Sequence, residues 1–202
     1  IQNTKARMAN GKTILEGLNM GFDLHGRGPF STEPPTYPED EEFQAIEKYH
    51  QDMRLYERDN PGYYFRNNVW YWRPLWQYVC NMCEDILTIH DAERGMWNDS
   101  HLISKTKAKK IAKRLEKSIK NGDLKEWEKE RKEHLQELGM VECEICEGTG
   151  YRNLDDSTVS TVCNACNGKK ERPHFDTNYP WDRENLKDFI EFCKNSGGFE
   201  IS

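Results

Sequence analysis

Residues 63–87 read YYFRNNVWYWRPLWQYVCNMCEDIL and hold eight large aromatic side chains: Tyr63, Tyr64, Phe65, Trp70, Tyr71, Trp72, Trp76 and Tyr78. The density matters because aliphatic residues are scarce. Leu, Ile, Val and Phe together number 37 of 202, so aromatic area must supply much of any core. Tyr64 to Trp72 reads as a short strand or extended segment. Pro74 suits the first turn of a helix, after which Leu75, Val79, Met82, Cys83 and Ile86 recur at three- and four-residue steps on one face. This stretch nucleates the core.

Working outward, MGFDLHGRG (residues 20–28) alternates Phe22 and Leu24 between glycines, the pattern of a brief strand running into a loop. From Glu39, the residues Phe43, Ile46, Tyr49, Met53 and Tyr56 fall at helical spacing, in a segment 33–59 that carries nine acids and three bases. After the polar link HDAERGMWNDS, Ser104 is placed to cap a helix whose Ala108, Ile111, Ala112, Leu115 and Ile119 share a face. Asn121-Gly122 ends it. Asp123 with Glu126 resembles a capping box for a further helix striped by Leu124, Trp127, Leu135 and Leu138, and Gly139 closes that helix. A last helix, about Glu184 to Asn195, presents Leu186, Phe189, Ile190 and Cys193, followed by a strand at Phe199 to Ile201.

The expected fold is therefore α+β, mainly helical, with short strands and an inserted zinc-bound β-hairpin module. Its divisions are an N-terminal extension at 1–19, a mainly helical domain at 20–140, the cysteine module at 141–172, and a C-terminal helix and strand at 173–202 that pack back on the helical domain. No window of 18 apolar residues exists, which excludes a spanning helix.

Cys143-Glu-Ile-Cys146-Glu-Gly148-Thr-Gly150 and Cys163-Asn-Ala-Cys166-Asn-Gly168 repeat the pattern Cys-x-x-Cys-x-Gly, with 16 residues between Cys146 and Cys163. Two thiolates three positions apart on a tight turn can grip one ion, and a glycine just beyond them accepts a positive φ. Two such knuckles complete a tetrahedron around one structural Zn2+, held by Cys143, Cys146, Cys163 and Cys166. Lys169, Lys170, Arg152 and Arg172 are placed to offset the formal −2 of four thiolates on a divalent ion. A disulfide switch and a mononuclear iron are the competing readings. Four cysteines leave no coordination position for water or substrate, so the metal reads as a staple and not as a catalyst. Cys80, Cys83 and Cys193 lie in helical patterns and read as packed thiols.

These knuckles resemble the cysteine-rich zinc finger of the DnaJ family of chaperones, whose repeats run Cys-x-x-Cys-x-Gly-x-Gly. The first copy matches through Gly150, and the second has Lys170 where the last glycine belongs. The likeness spans about 30 residues and two of the family's four repeats, with no His-Pro-Asp signature of a J domain. It implies a zinc-binding hairpin module and not chaperone activity. The segment YFRNNVWYWRPLW (residues 64–76), with MGFDLHG and SGGFEI, is similar to a group of phage and bacterial proteins that pair it with such a module and have no assigned activity.

Two further features invite function. The stretch Lys105 to Lys120 holds eight bases and one acid in a chain of net charge −6. Lys109, Lys113 and Lys117 would touch phosphates if it binds nucleic acid. Alternatively the helix presents a solvated face, or pairs with the acidic segment 39–59 in the same molecule or in a second copy. Arg66, Asn67, Trp70 and Arg73 could line a ligand pocket with aromatic walls, or simply satisfy buried backbone groups. No nucleophile elbow, phosphate loop or His-Glu-x-x-His occurs, leaving His90-Asp91 and His101 as the residues to screen for catalysis.

The expected function is that of a zinc-stabilised, non-enzymatic binding protein, an accessory factor related to phage that acts through protein contacts in the cytoplasm, the host's if phage-encoded. Nucleic-acid binding through residues 105–120 and the zinc module is the first alternative. An enzyme with its site in residues 63–76 is the second. A homo-oligomer stays open.

Overall fold

The computed structural model describes residues 21–39, 42–153 and 160–202. The extension expected at 1–19 lies outside the described residues. The fold is α+β, mainly helical, with short antiparallel sheets. It divides into two compact units: the residues up to Asn121 together with Trp181–Ser202, and Gly122–Pro180.

The first unit contains β1 (Gly21–Gly26), α1 (Phe43–Asp59), β2 (Tyr64–Asn68), α2 (Val69–Met82), α3 (Ile89–Arg94), β3 (His101–Ser104), α4 (Lys105–Asn121), α6 (Arg183–Asn195) and β8 (Gly198–Ile201). Its four strands form one antiparallel sheet in the order β2-β1-β8-β3. Leu24 lies opposite both Phe65 and Ile201, and Ile103 opposite Phe199, so alternate residues of the central strands send their side chains into one core. That core is aromatic. Phe22 stacks on Trp72 at 5.2 Å, Trp72 on Trp76 at 5.3 Å, and Phe189 meets Trp72 edge-on at 5.9 Å. The indole N–H groups are satisfied without water: Trp72 donates to the Gly95 carbonyl (2.8 Å) and Trp76 to that of Ala92 (3.0 Å). α4 packs against α6, with Ala108, Ile111, Ala112 and Leu115 buried on the former and Leu186, Phe189, Ile190 and Cys193 on the latter.

Several elements differ from expectation. The strand in the aromatic segment stops at Asn68, and α2 begins at Val69 instead of beside Pro74. Asn68 is the reason, because its side-chain oxygen accepts from the N–H groups of Trp70 (3.0 Å) and Tyr71 (3.1 Å) and caps the helix. Pro74 is consequently interior to the helix, where it has no N–H to offer. The polar link holds most of α3, and β3 follows it directly. Of the apolar stripe on α1, only Tyr56 is buried, and Phe43 is 79% exposed. Asp123 is the first residue of its helix, preceded by Gly122 with a φ of 95° and no side-chain cap.

The second unit holds α5 (Asp123–Leu138), β4 (Met140–Glu142), β5 (Tyr151–Asn153), β6 (Ser160–Val162), β7 (Glu171–Pro173) and a 3-10 turn at Phe175–Asn178. It is wider than the stretch 141–172 delimited by the cysteines. α5 is tied into it by Arg131, which donates to the Tyr179 carbonyl (2.5 Å), and by the His174 N–H, which donates to the Gly139 carbonyl (3.1 Å). β4 pairs with β7 and β5 with β6, both antiparallel.

Candidate metal centre

β4 delivers the chain into Cys143 and β6 delivers it into Cys163. Each cysteine opens a turn of the same construction. The Cys146 N–H returns to the Cys143 carbonyl at 3.2 Å and that of Gly148 at 3.3 Å; in the second copy the Gly168 N–H returns to the Cys163 carbonyl at 3.2 Å. Positive φ values recur in step: Glu147 48° and Asn167 51°, Gly148 68° and Gly168 75°, Gly150 82° and Lys170 70°. The two copies also exchange hydrogen bonds. The Cys143 N–H donates to the Lys170 carbonyl (2.8 Å) and the Cys163 N–H to the Gly150 carbonyl (2.9 Å), so each knuckle is closed by the exit of the other.

This reciprocal arrangement gathers the four sulfurs. All lie within 4.8 Å of one another, with Cys143 Sγ 3.9 Å from Cys163 Sγ and Cys146 Sγ 3.7 Å from Cys166 Sγ. A disulfide needs about 2.05 Å, whereas sulfurs at about 2.3 Å from a tetrahedral ion stand about 3.8 Å apart. The separations therefore suit a shared ion and not a bond. All four cysteines are buried, and the Gly150 N–H points at Cys146 Sγ (3.3 Å), a contact that favours thiolate. Burial raises the Cys143 thiol to about 11. At Cys163 burial also pushes upward, but hydrogen bonds from the backbone N–H groups of Cys166 and Ala165 and from the Cys166 and Cys146 side chains together outweigh it and bring the thiol to about 7. Arg152 and Arg172 occupy equivalent places, two residues beyond Gly150 and Lys170, and the Nε of each is buried without a hydrogen-bond partner. Their cationic charge suits a module whose centre is anionic. The cluster has the donors, spacing and burial to hold one metal ion.

The other candidates are dispersed. Arg66 is exposed on β2 and faces Asp23 at 3.7 Å, whereas Asn67, its neighbour on the opposite face of the strand, is buried and donates to Asn185 Oδ1 at 2.9 Å. Arg66 and Asn67 therefore do not share a face of β2. Trp70 is 40% exposed, and the Arg73 guanidinium lies 6.0 Å from the Trp97 ring. A depression of about 280 Å³ lies elsewhere, along α2 and α3, lined by Cys80, Asn81, Glu84, Leu87, Thr88, Ile89 and Ala92. Burial lifts the thiols of Cys80 to about 11 and Cys83 to about 12, and Cys193 well above its ordinary value, which marks all three as protonated packing groups.

Asp91 and His101 do meet, with His101 Nε2 3.0 Å from Asp91 Oδ1. The buried Asp91 carboxylate also accepts from the Thr88 N–H and hydroxyl, both at 2.7 Å, and from Lys107 Nζ. Burial raises its pKa, but Lys107 and Thr88 prevail and hold it well below the usual carboxylate range. Three of the four donors share Oδ2 and His101 meets Oδ1, so the cluster fastens α3 to β3 and α4. Lys109, Lys113 and Lys117 are exposed on α4.

No protein-family model, curated protein or solved structure matches this chain. No helix among the described residues is long and apolar enough to cross a membrane.

Proposed function

We propose that the protein is a zinc-stabilised, non-enzymatic binding protein that acts through protein contacts. The observation that carries this reading is the closed set of four buried thiols, whose paired separations of 3.7 and 3.9 Å fit tetrahedral sulfur coordination. Zinc is favoured as the ion because a sulfur tetrahedron is its usual structural environment. A binding role on the same unit is supported by exposed apolar side chains beside the knuckles: Ile145 within the first, and Tyr151 and Val162 directly opposite each other on β5 and β6. The accessory role in a phage or its bacterial host rests on the resemblance of residues 64–76. A cytoplasmic setting accords with thiols that must stay reduced to hold metal.

Elemental analysis of protein purified under reducing conditions tests the metal, with one zinc per chain expected. Replacement by Co(II) tests closure. The cobalt-thiolate absorption should show tetrahedral coordination and stay unchanged on adding azide or imidazole, which would bind an open position. Protein without stoichiometric metal, or a spectrum that responds to those ligands, overturns the reading.

A further inference from the structure

α4 buries Ala108, Ile111, Ala112, Leu115 and Ser118, and this fixes which of its charges face solvent. Lys105, Lys109, Lys110, Lys113, Lys117 and Lys120 are all exposed, within an arc of about 140° at 3.6 residues per turn. The remaining charges of the helix are engaged. Lys107 pairs with Asp91, Arg114 with Asp85 at 2.8 Å, and the single acid, Glu116, with Lys194 at 2.8 Å. Among the described residues none of the six lysines has an ion-pair partner. The acidic α1 does not supply one, since its recorded pairs, Lys48 with Asp52 and Arg58 with Asp59, are local. Lys110 and Lys120 still act on Asp85 and Glu116 at longer range. The least opposed charges are therefore Lys105, Lys109, Lys113 and Lys117, one turn apart in a row.

That row is about 18 Å long, at 1.5 Å per residue. A DNA strand presents one phosphate per about 3.4 Å of helix axis, so the row runs beside about five phosphates. We infer that this face of α4 binds the phosphate backbone of nucleic acid. Phosphate contacts carry no base information, so the binding is independent of sequence. An anionic membrane is the poorer match. A surface-seeking helix lays apolar side chains into the lipid beside its lysines, whereas the buried stripe of α4 packs against α6 and the residues between the lysines are polar, Thr106 and the Glu116 that Lys194 holds, with the exposed Ile119 outside the arc. The inference does not depend on the metal centre or on the proposal made for it.

The test uses the full chain and a fluorescein-labelled DNA duplex of about 30 base pairs, with anisotropy followed from about 50 to 300 mM salt. Binding should be equal for unrelated duplexes. Lys109→Gln/Lys113→Gln/Lys117→Gln should keep its circular dichroism, bind at least about tenfold more weakly near 0.1 M salt, and lose about 2.7 from the slope of log K against log salt, at 0.9 per phosphate contact. Lys125→Gln/Lys129→Gln/Lys132→Gln removes the same charge from exposed positions of α5 and should bind as the native chain does. The inference is overturned if the native chain fails to bind at low salt or if both triple variants weaken binding equally. It also fails if phosphatidylserine vesicles are bound and DNA is not, or if sedimentation shows the lysines joining two copies of the chain instead.

Discussion

Lys170 holds a φ of 70° at the repeat position that Gly150 fills at 82°. The two are not interchangeable. A Cβ at Gly150 would stand 2.8 Å from the Gly168 carbonyl oxygen, a backbone atom that cannot swing aside. Gly150→Ala should therefore destabilise the second unit by about 2 kcal/mol or more, combining left-handed strain with overpacking. Lys170→Gly should be neutral or stabilising by up to about 1 kcal/mol, since relief of strain is offset by a more flexible unfolded chain. Amide exchange of the metal-loaded protein at Cys143 and Cys163 reads both. Effects of similar size for the two substitutions would show that the repeats are equally tolerant.

Removing the metal should loosen the second unit and leave the first folded. Four buried thiols without an ion lose the interaction that holds them as thiolates, and metal binding at such sites is coupled to folding. With chelator, or in Cys143→Ser and Cys166→Ser, the amides of Gly148, Cys163 and Gly168 should lose protection. Those of α2 and α6, anchored by Trp72, Leu75 and Phe189, should retain it. Unchanged thermal unfolding and exchange after complete metal removal would mean that the sulfur cluster staples nothing.

What could be read beforehand was what is local in the chain. The knuckles were legible because a tight turn, two thiols and a glycine all fall within six residues. β1 and β8 were legible because glycines flank short apolar alternations, and α6 because its buried residues recur at helical steps. β3 was not. It exists because it pairs with β8, nearly a hundred residues on, and of its four side chains only Ile103 is buried, so no alternation announces it. α3 has six residues, too few for a period, although Thr88 and Asp91 spell the capping box that begins it. At α2 the proline cue competed with the Asn68 cap and lost. On α1 the periodicity identified a helix but could not say that its stripe would stay largely uncovered. The reciprocal closure of Cys143 by Lys170 and of Cys163 by Gly150 joins positions 27 and 13 apart, and nothing in either motif specifies the exchange.

The Asp91 network should give stability a defined pH dependence. Its carboxyl is held below the unfolded value near 3.9, so its contribution is complete above that value and is lost as pH falls through the lower, folded one. Asp91→Asn should cost about 2 kcal/mol at neutral pH, the worth of hydrogen bonds to a charged group. The gap between variant and native protein should narrow below about pH 4. Exchange in α3 and β3, measured for both proteins in chelator so that metal loss is common to them, tests this. A gap that is constant from pH 7 to pH 3 would show that the ionised carboxylate is not what fastens the three elements.

Gly95 ends α3 with an ordinary φ of −67°, so no backbone strain requires glycine there. Its constraint is steric: a Cβ would overlap the Trp76 indole, which is fully buried and held by its own hydrogen bond to Ala92. The Gly95 carbonyl also accepts the Trp72 indole N–H at 2.8 Å. Any shift that made room for a methyl group would stretch that bond and disturb the Trp72–Trp76 stack. Gly95→Ala should consequently cost about 3 kcal/mol, overpacking plus a weakened buried hydrogen bond. Urea unfolding followed through near-ultraviolet circular dichroism of the tryptophans should show the loss in the midpoint without a change of slope. A cost under about 1 kcal/mol would mean that the loop after α3 yields easily, and that the stacked indoles are not the rigid centre of the first unit.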